Sequence, residues 1–296
     1  MTESINPRTA SIDMLETSAM VSLMLDECAA VLPAVMAVSD RVAELIGLTA
    51  EQLRRGGRLV YVGSGSSGRL GVLDAAECPP TFNSDPSQVI ALLSGGEAAV
   101  GSSRESTEDE PEQGKQDIER INAGESDVVL GISASGRTPY VLGAIAEARG
   151  RGALTAGLAC TAPSALEPLV DIMIAPLVGP EIIAGSTRLN AGTAQKIVLN
   201  TLSTGVMIRL GKTYGNLMVD IQPKNEKLKD RQHRIVAQAA GVSEAKAAGL
   251  LTAAGGDAKA AIMIGLTGAG VEAARAALSA SDGVVRDALE RIRESL

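Results

Sequence analysis

The sequence predicts an α/β protein in which helices cover both faces of a five-stranded parallel sheet. Two observations predict this αβα sandwich. Short, near-continuous apolar runs alternate with helical stretches in the middle of the chain, as expected of strands buried on both faces. A helical pattern precedes these runs and Ala-rich helical stretches follow them. We therefore divide the 296 residues into a helical segment at 1–55, a sheet domain at 56–218 and a small all-helical domain at 219–296.

Each element is predicted from its own pattern. Apolar side chains recur at near-helical spacing over residues 11–55, until Gly56-Gly57 ends the pattern. Strands are predicted at 58–63, 88–93, 127–133, 153–159 and 171–176. Helices are predicted between and after them, at 67–76, 111–122, 138–149 and 191–210. The last domain is predicted to hold helices at 232–240, 243–253, 257–264, 270–280 and 282–294, with N-caps at Ser243, Asp257 and Asp282.

The composition argues against several function classes. The chain has 27 Lys and Arg against 35 Asp and Glu, a net charge of −8, with one Phe, three Tyr and no Trp. It lacks the basic field and the stacking rings of a nucleic-acid binder, so we expect no nucleic-acid partner. The most apolar runs, at 197–208 and 260–271, have about twelve residues each, short of the ~20 that span a membrane, so we expect no membrane segment.

The cysteines and the single histidine bear on compartment and metal content. Cys28, Cys78 and Cys160 are odd in number and widely spaced, which favours reduced thiols and a cytoplasmic protein. His233 is the only histidine, and no cysteine or carboxylate cluster has metal-ligand spacing. We therefore predict no metal.

The first predicted strand runs into a glycine- and serine-rich loop, GSGSSGR, at 63–69. Its glycines formally satisfy the dinucleotide-binding pattern, but no carboxylate ends the second strand to hold a ribose. Ser64, Gly65, Ser66 and Ser67 stand instead where a helix begins, where hydroxyls and backbone N–H groups can hold one phosphate. The loop alone does not distinguish a phosphate site from simple capping of the helix.

A second loop of the same kind favours the phosphate site. The third strand leads into another hydroxyl-rich loop that opens a helix, and its candidate ligand-binding residues are Ser133, Ser135, Gly136, Arg137 and Thr138. If the two strands are neighbours, both loops meet at the carboxyl edge of the sheet, where ligands bind in open α/β folds. A paired site of hydroxyls suits a phosphorylated sugar.

Longer motifs carry a family resemblance. The 63–69 loop, SASGRTPY (133–140) and GPEIIAGSTRLNAGTAQK (179–196) resemble a sugar isomerase (SIS) phosphosugar-binding domain. GRLGVLDAAECPPTF (68–82) and NLMVDIQPKNEKLKDR (216–231) resemble more specifically the N-acetylmuramic acid 6-phosphate etherase family. One departure is Asn190, where that family usually has lysine.

The resemblance implies a reaction and a catalytic pair. The family removes the D-lactyl ether from C3 of N-acetylmuramic acid 6-phosphate, without metal or redox cofactor, and serves amino-sugar catabolism and cell-wall recycling. It places the catalytic residues at Glu77 and Glu108. We assign proton donation to the leaving oxygen to Glu77, because its neighbours Ala75, Ala76 and Cys78 are apolar, and C2–H abstraction to Glu108.

The spacing of Glu77 raises a geometric question. A helix over 67–76 is about 15 Å long and carries Glu77 away from the loop that begins it. Either the substrate spans that distance or a second protomer completes the site, and we favour a homodimer with a shared site.

Several alternatives stay open from the sequence. Glu181, Ser186, Thr187 and Arg188 could line the site or simply cap the following helix. Asn225, Lys227 and His233 could close over the substrate, although a structural or surface role suits His233 better. Three rival functions are weighed against the etherase. An aldose–ketose isomerase would not need the DAAECPPT segment, and a dehydrogenase would need the ribose-binding carboxylate that is missing here. A non-catalytic sugar-phosphate sensor of this ancestry has two SIS domains in a longer chain, whereas this chain has room for one.

Overall fold

The computed structural model describes residues 3–102, 105–221, 223 and 226–295. The chain divides into two compact units. The first comprises residues 1–76 and 86–203, and the second comprises residues 77–85 and 204–296.

The first unit is built on a five-stranded parallel sheet, as the sequence predicts. Its strands are β1 (Leu59–Gly63), β2 (Val89–Leu93), β3 (Val128–Ile132), β4 (Leu154–Leu158) and β5 (Ile172–Ile174). Their order across the sheet is β2-β1-β3-β4-β5, and every pairing is parallel. All residues of β1 and β3 are buried, which explains why these strands read as unbroken apolar runs.

Helices precede the sheet and connect its strands. They are α1 (Thr17–Cys28), α2 (Val31–Met36), α3 (Ser39–Arg54), α4 (Gly65–Phe82), α5 (Ala98–Gly101), α6 (Pro111–Arg120), α7 (Pro139–Gly150) and α8 (Asn190–Arg209). The prediction that α4 ends at residue 76 was wrong, because the helix continues through Pro79 and Pro80. Each proline has a φ compatible with a helix but lacks the N–H that would bond four residues back, so this part of α4 has two fewer intrahelical hydrogen bonds.

Two glycines let α6 and α7 approach closely. A Cβ on Gly114 would collide with the backbone oxygen of Tyr140, and a Cβ on Gly143 would collide with that of Pro111. The hydroxyl of Tyr140 donates to buried Asp117 at 2.7 Å, and burial together with this hydrogen bond raises the pKa of Tyr140. Because α6 directly follows the short 3-10 helix Glu105–Asp109, this packing also fixes where that turn lies relative to α7.

The N-terminal helices expose much apolar surface. Among the described residues, Thr17–Met36 is long and apolar enough to cross a membrane by length and composition, and 11% of its qualifying 18-residue stretch is buried. This segment lies outside the two apolar runs, at 197–208 and 260–271, on which the expectation of no membrane segment was based. Two short helices form it, and signal sequences or helices of non-membrane proteins also pass such a test. The helices Glu244–Ala253 and Ala258–Thr267 are long and apolar enough only when taken together, and the chain bends by 114° between them.

The second unit is mainly helical. It contains a two-stranded antiparallel ribbon, β6 (Thr213–Tyr214) with β7 (Leu217–Met218), followed by α9 (Glu226–Ala240), α10 (Glu244–Ala253), α11 (Ala258–Thr267), α12 (Val271–Ser279) and α13 (Val285–Ser295). The predicted caps Ser243 and Asp257 are confirmed, since their side chains accept the N–H groups of Lys246 and Ala260. Asp282 is not a cap. Its φ is +49°, and α13 begins three residues later.

A charged cluster lies inside the second unit. The carboxylate of Asp220 lies 3.0 Å from the Nζ atoms of both Lys212 and Lys259, and Asn83 donates to it at 3.3 Å. Burial acts to raise the pKa of Asp220, but the two ammonium groups outweigh burial and lower it. Stabilisation by these ion pairs is therefore lost as pH falls through that lowered pKa.

Candidate active site

The candidate site lies where the order of the sheet reverses. From β1 the chain crosses to β2 on one side, and it later returns to place β3 on the other side of β1. In open parallel sheets, ligands bind at the carboxyl ends of the strands at such a switch point. The two hydroxyl-rich loops follow β1 and β3, which pair directly, so the prediction that these strands are neighbours is confirmed.

The first loop places serines at the start of α4. Gly65 has φ of +52°, a left-handed conformation that glycine adopts without strain, and it turns the chain from β1 into the helix. The first N–H groups of a helix have no partner within it, so the first turn of α4 offers donors next to the hydroxyls of Ser64 and Ser66.

The second loop is organised by a chain of hydroxyls. Ser133 is buried, and its Oγ lies 2.8 Å from the Oγ1 of Thr138 and 3.4 Å from the Oγ of Ser135. Thr138 is the N-cap residue of α7, yet its hydroxyl makes no capping bond. It donates instead to Glu108, at 3.0 Å from Oε1. Since Thr138 has one proton to give, Ser133 donates to Thr138 and Thr138 to Glu108.

Glu108 is the carboxylate that the fold brings to both loops. It lies in the 3-10 helix Glu105–Asp109, and Ser64 donates to its Oε2 at 3.4 Å. Ser94, at the end of β2, donates to Thr107 at 2.7 Å and so connects this turn to the sheet. Glu108 is thus bonded to hydroxyls that follow both β1 and β3, in a geometry that suits a base at the sheet edge.

These residues surround a cavity of about 550 Å³. Its lining includes Glu108 and seven of the predicted ligand-binding positions. These seven are Ser64, Gly65, Ser66, Ser67, Ser135, Arg137 and Thr138. Ser133 and Gly136 lie in the same loop but behind the lining, where Ser133 supports Thr138 and Gly136 packs against Ser164.

Behind the first loop, α8 contacts Ser67 of α4. Ser67 donates to the Oε1 of Gln195 at 2.9 Å, and Gln195 is fully buried. Further along α4, Asp74 accepts hydrogen bonds from Tyr61 at 2.8 Å, Asn200 at 2.6 Å and Ser203 at 3.1 Å. Burial raises the pKa of Asp74 despite these donors and the nearby charge of Lys196. The bonds connect α4 to β1 and α8, so they hold the helix whose start forms the cavity.

Glu77 is placed differently from Glu108. It belongs to the second compact unit, and it is not among the residues that line the cavity. It lies twelve residues after Gly65 on α4, which corresponds to about 18 Å along a helix axis. The burial expected from its apolar sequence neighbours does not extend to Glu77 itself, because α4 buries Ala75 and Cys78 while Glu77 is exposed.

The segment before α8 divides between capping and lining. Glu181 is fully buried and accepts the N–H groups of Asn190 at 2.8 Å and Ala191 at 2.9 Å, so it caps α8. Asn190 is also buried, and its side chain donates to the backbone oxygen of Glu27 at 3.3 Å. Thr187, in contrast, lines the cavity.

A second cavity of about 460 Å³ adjoins the first at Ser66. Three cationic side chains line it, those of Arg69, Arg188 and Lys196, over an apolar floor that includes Leu70 and Leu73. Of the other candidates, Asn225 and the side chain of Lys227 lie outside the described part of the chain, and His233 lies on α9.

Sequence reasoning missed five residues that line the main cavity: Glu3, Asp109, Ala134, Pro139 and Gly185. Asp109 could have been found, because it adjoins Glu108. Nothing local in the sequence marks Glu3, which lies 60 residues before the first loop of the site begins.

The amino-acid sequence is similar to a known family model and, over nearly its whole length, to named relatives. A family model described as the glucokinase regulatory protein N-terminal SIS domain matches residues 39–149. The N-acetylmuramic acid 6-phosphate etherase of Rubrobacter xylanophilus is 51% identical, over 98% of this chain and 95% of its own length. The protein of the same name from Streptomyces avermitilis is 51% identical, over 97% of this chain and 93% of its own.

A solved structure supports the fold. A Bacteroides fragilis protein named as a phosphosugar isomerase involved in capsule formation aligns with a TM-score of 0.51, covering 66% of this chain and 91% of that chain. At 20% identity this likeness concerns the fold alone, and it agrees with the predicted SIS-type sandwich.

Proposed function

Because this chain belongs to the N-acetylmuramic acid 6-phosphate etherase family, we propose that it cleaves the D-lactyl ether of N-acetylmuramic acid 6-phosphate, giving N-acetylglucosamine 6-phosphate and D-lactate. The observation that carries the proposal is Glu108, which hydroxyls from two neighbouring loops hold in the cavity at the switch point. A base there stands beside donors that suit a phosphate, as proton abstraction from a phosphosugar requires.

The phosphate is assigned to the start of α4 and the loop before α7. Hydroxyls of Ser64, Ser66 and Ser135 line the cavity, and the first N–H groups of α4 add backbone donors. Helix N-termini favour anions through their partial positive charge, which offsets the chain's net charge of −8 locally.

The reaction proceeds by elimination and then addition. In the open-chain sugar, C2–H is acidified by the C1 aldehyde, and Glu108 takes that proton. The C3–O bond then breaks, the departing oxygen takes a proton to give D-lactate, and C2 and C3 become doubly bonded. Water adds at C3 and a proton returns to C2, which yields N-acetylglucosamine 6-phosphate. No step consumes a redox equivalent, in keeping with the expectation of no cofactor.

Glu77 is the proposed acid, supplied from a second copy of the chain. It is exposed, and it is separated from the start of α4 by about 18 Å of helix. In a homodimer with shared sites, Glu77 of each protomer would face the cavity of its partner. That arrangement accounts for a solvent-facing residue with a catalytic role.

The setting of the reaction remains a prediction from the sequence. We propose a cytoplasmic enzyme of amino-sugar catabolism and cell-wall recycling, consistent with the three cysteines in reduced form.

The deciding experiment measures D-lactate release from N-acetylmuramic acid 6-phosphate by the purified protein, without added metal or nucleotide. Release is expected from the wild type. Glu108→Gln should abolish both release and exchange of the C2 proton with solvent deuterium, whereas Glu77→Gln should slow release and keep the exchange. Glu110→Gln is the matched control, because Glu110 is exposed, close in sequence and outside the cavity lining.

Two results would contradict these assignments. Tight binding of the sugar phosphate without release would favour a sugar-phosphate sensor. Deuterium exchange at C2 by Glu108→Gln would assign the base to another group.

Mixing Glu108→Gln with Glu77→Gln tests the shared site. If Glu108 of one protomer works with Glu77 of its partner, a heterodimer of the two variants contains one intact site. Random mixing then recovers about a quarter of wild-type activity. If each protomer works alone, the mixture shows no more activity than the two variants show separately.

A further inference from the structure

Arg137 is the only Lys or Arg among the described residues that line the main cavity. It precedes Thr138, whose hydroxyl holds Glu108 at 3.0 Å, so its backbone stands next to the proposed base. Three carboxylates share the lining with this one cation, those of Glu3, Glu108 and Asp109.

The guanidinium of Arg137 has a loose carboxylate partner. Its Nη2 lies 3.7 Å from the Oε1 of Glu3, and both side chains are exposed, at 69% and 62%. Exposed ion pairs of this length contribute little, so a better-placed carboxylate from a ligand can replace Glu3. The pair shows that a carboxylate can reach Arg137 at the cavity.

The proposed substrate carries two anionic groups, and the cavity offers two kinds of donor. Neutral hydroxyls and backbone N–H groups surround the position assigned to the phosphate. The planar fork of arginine matches a carboxylate, which it can bind through two parallel hydrogen bonds. We propose that Arg137 binds the lactyl carboxylate of N-acetylmuramic acid 6-phosphate in place of Glu3 and so determines specificity for the lactyl ether.

The position of the carboxylate in the substrate fits this assignment. Three atoms separate C2 from the lactyl carboxyl carbon, so the two lie at most ~5 Å apart. Thr138 donates to Glu108 and directly follows Arg137. When C2–H faces Glu108, the lactyl carboxylate therefore lies close to Thr138 and so to Arg137. The inference rests on the proposed function, because it names the group of that substrate that Arg137 recognises.

The test compares two ligands that differ by the lactyl group alone. The KM for N-acetylmuramic acid 6-phosphate and the inhibition constant for N-acetylglucosamine 6-phosphate are measured for the wild type, Arg137→Leu and Arg137→Lys. Arg137→Leu should raise the KM at least about 10-fold and leave the inhibition constant within about 3-fold, because only the substrate carries the carboxylate. Arg137→Lys keeps the charge but loses the fork, so its KM should lie between the other two.

A further variant, Glu3→Gln, should change the KM in the opposite direction. Glu3→Gln removes the competing carboxylate and should lower the KM by about 2- to 5-fold, the range expected for an exposed ion pair. Binding of N-acetylglucosamine 6-phosphate also shows that each variant is folded with an intact phosphate site.

Equal weakening of both ligands by Arg137→Leu would overturn the proposal, since Arg137 would then serve the phosphate. An unchanged KM in Arg137→Leu would overturn it as well. If the wild type releases no lactate, the proposed function fails separately, and calorimetric binding of the same two sugars still tests Arg137.

Discussion

Replacing Thr138 with valine tests whether the hydroxyl chain positions the base. Valine has nearly the same shape, and Thr138 is 6% exposed, so the substitution removes a hydroxyl and little else. The change deletes the 3.0 Å bond to Oε1 of Glu108 and leaves Ser133 without its 2.8 Å acceptor. The carboxylate then keeps one bond among those described here, the 3.4 Å contact with Ser64.

The size of the effect follows from these bonds. A hydrogen bond to a charged group contributes about 1.5–3 kcal/mol, which corresponds to roughly 10- to 150-fold in rate. Because Glu108 is only partly buried, we expect the lower part of this range, about 10- to 30-fold, in the rate of C2 proton removal. Inhibition by N-acetylglucosamine 6-phosphate should change much less, since the serines of α4 remain.

The assay follows exchange of the C2 proton with solvent deuterium alongside release of D-lactate. Thr138→Ser is the matched control, because it keeps the hydroxyl and should stay within about 3-fold of the wild type. Exchange at the wild-type rate in Thr138→Val would refute the reasoning. An equal loss in Thr138→Ser and Thr138→Val would do so too, because the methyl group and not the hydroxyl would then matter.

Two further predictions concern packing and thiol chemistry. Gly143→Ala should destabilise the protein and slow C2 exchange, because the new Cβ pushes α7 away from Pro111 and from the turn that carries Glu108. Melting and exchange are measured together, and an unchanged rate of exchange would show that this packing does not position the base. Burial, with the charge of Glu181 nearby, raises the pKa of Cys160 to about 12, so about 1 in 10⁴ of its thiols is ionised at pH 8. A thiol reagent should therefore modify exposed Cys28 first and Cys160 only on unfolding, and equal rates would contradict the structure.

The sequence alone predicted the architecture of the first unit. Each strand is a buried apolar run, so a local pattern reports it directly, and all five predicted strands are found. The caps Ser243 and Asp257 were also predicted from a local signal, because a cap accepts N–H groups that lie two or three residues further along the chain. Asp282 shows the limit of such signals, since its left-handed φ belongs to a turn that ends before α13 begins.

The sequence also predicted which two loops line the main cavity. Serines and glycines follow two of the strands, at the points where each strand leads into a helix, and there they predict anion-binding turns. The pairing of β1 with β3 places both turns at one switch point, which a sequence pattern can suggest but not establish.

Only the tertiary structure decided how the site is assembled. Glu108 contacts Ser64 and Thr138, which lie 44 and 30 residues away in sequence, and Glu3 reaches Arg137 across still more of the chain. Burial of Asn190 and exposure of Glu77 follow from the directions in which α8 and α4 present their side chains. Periodicity and capping act within a few residues, so they predict elements, whereas contacts between distant residues depend on how those elements pack together.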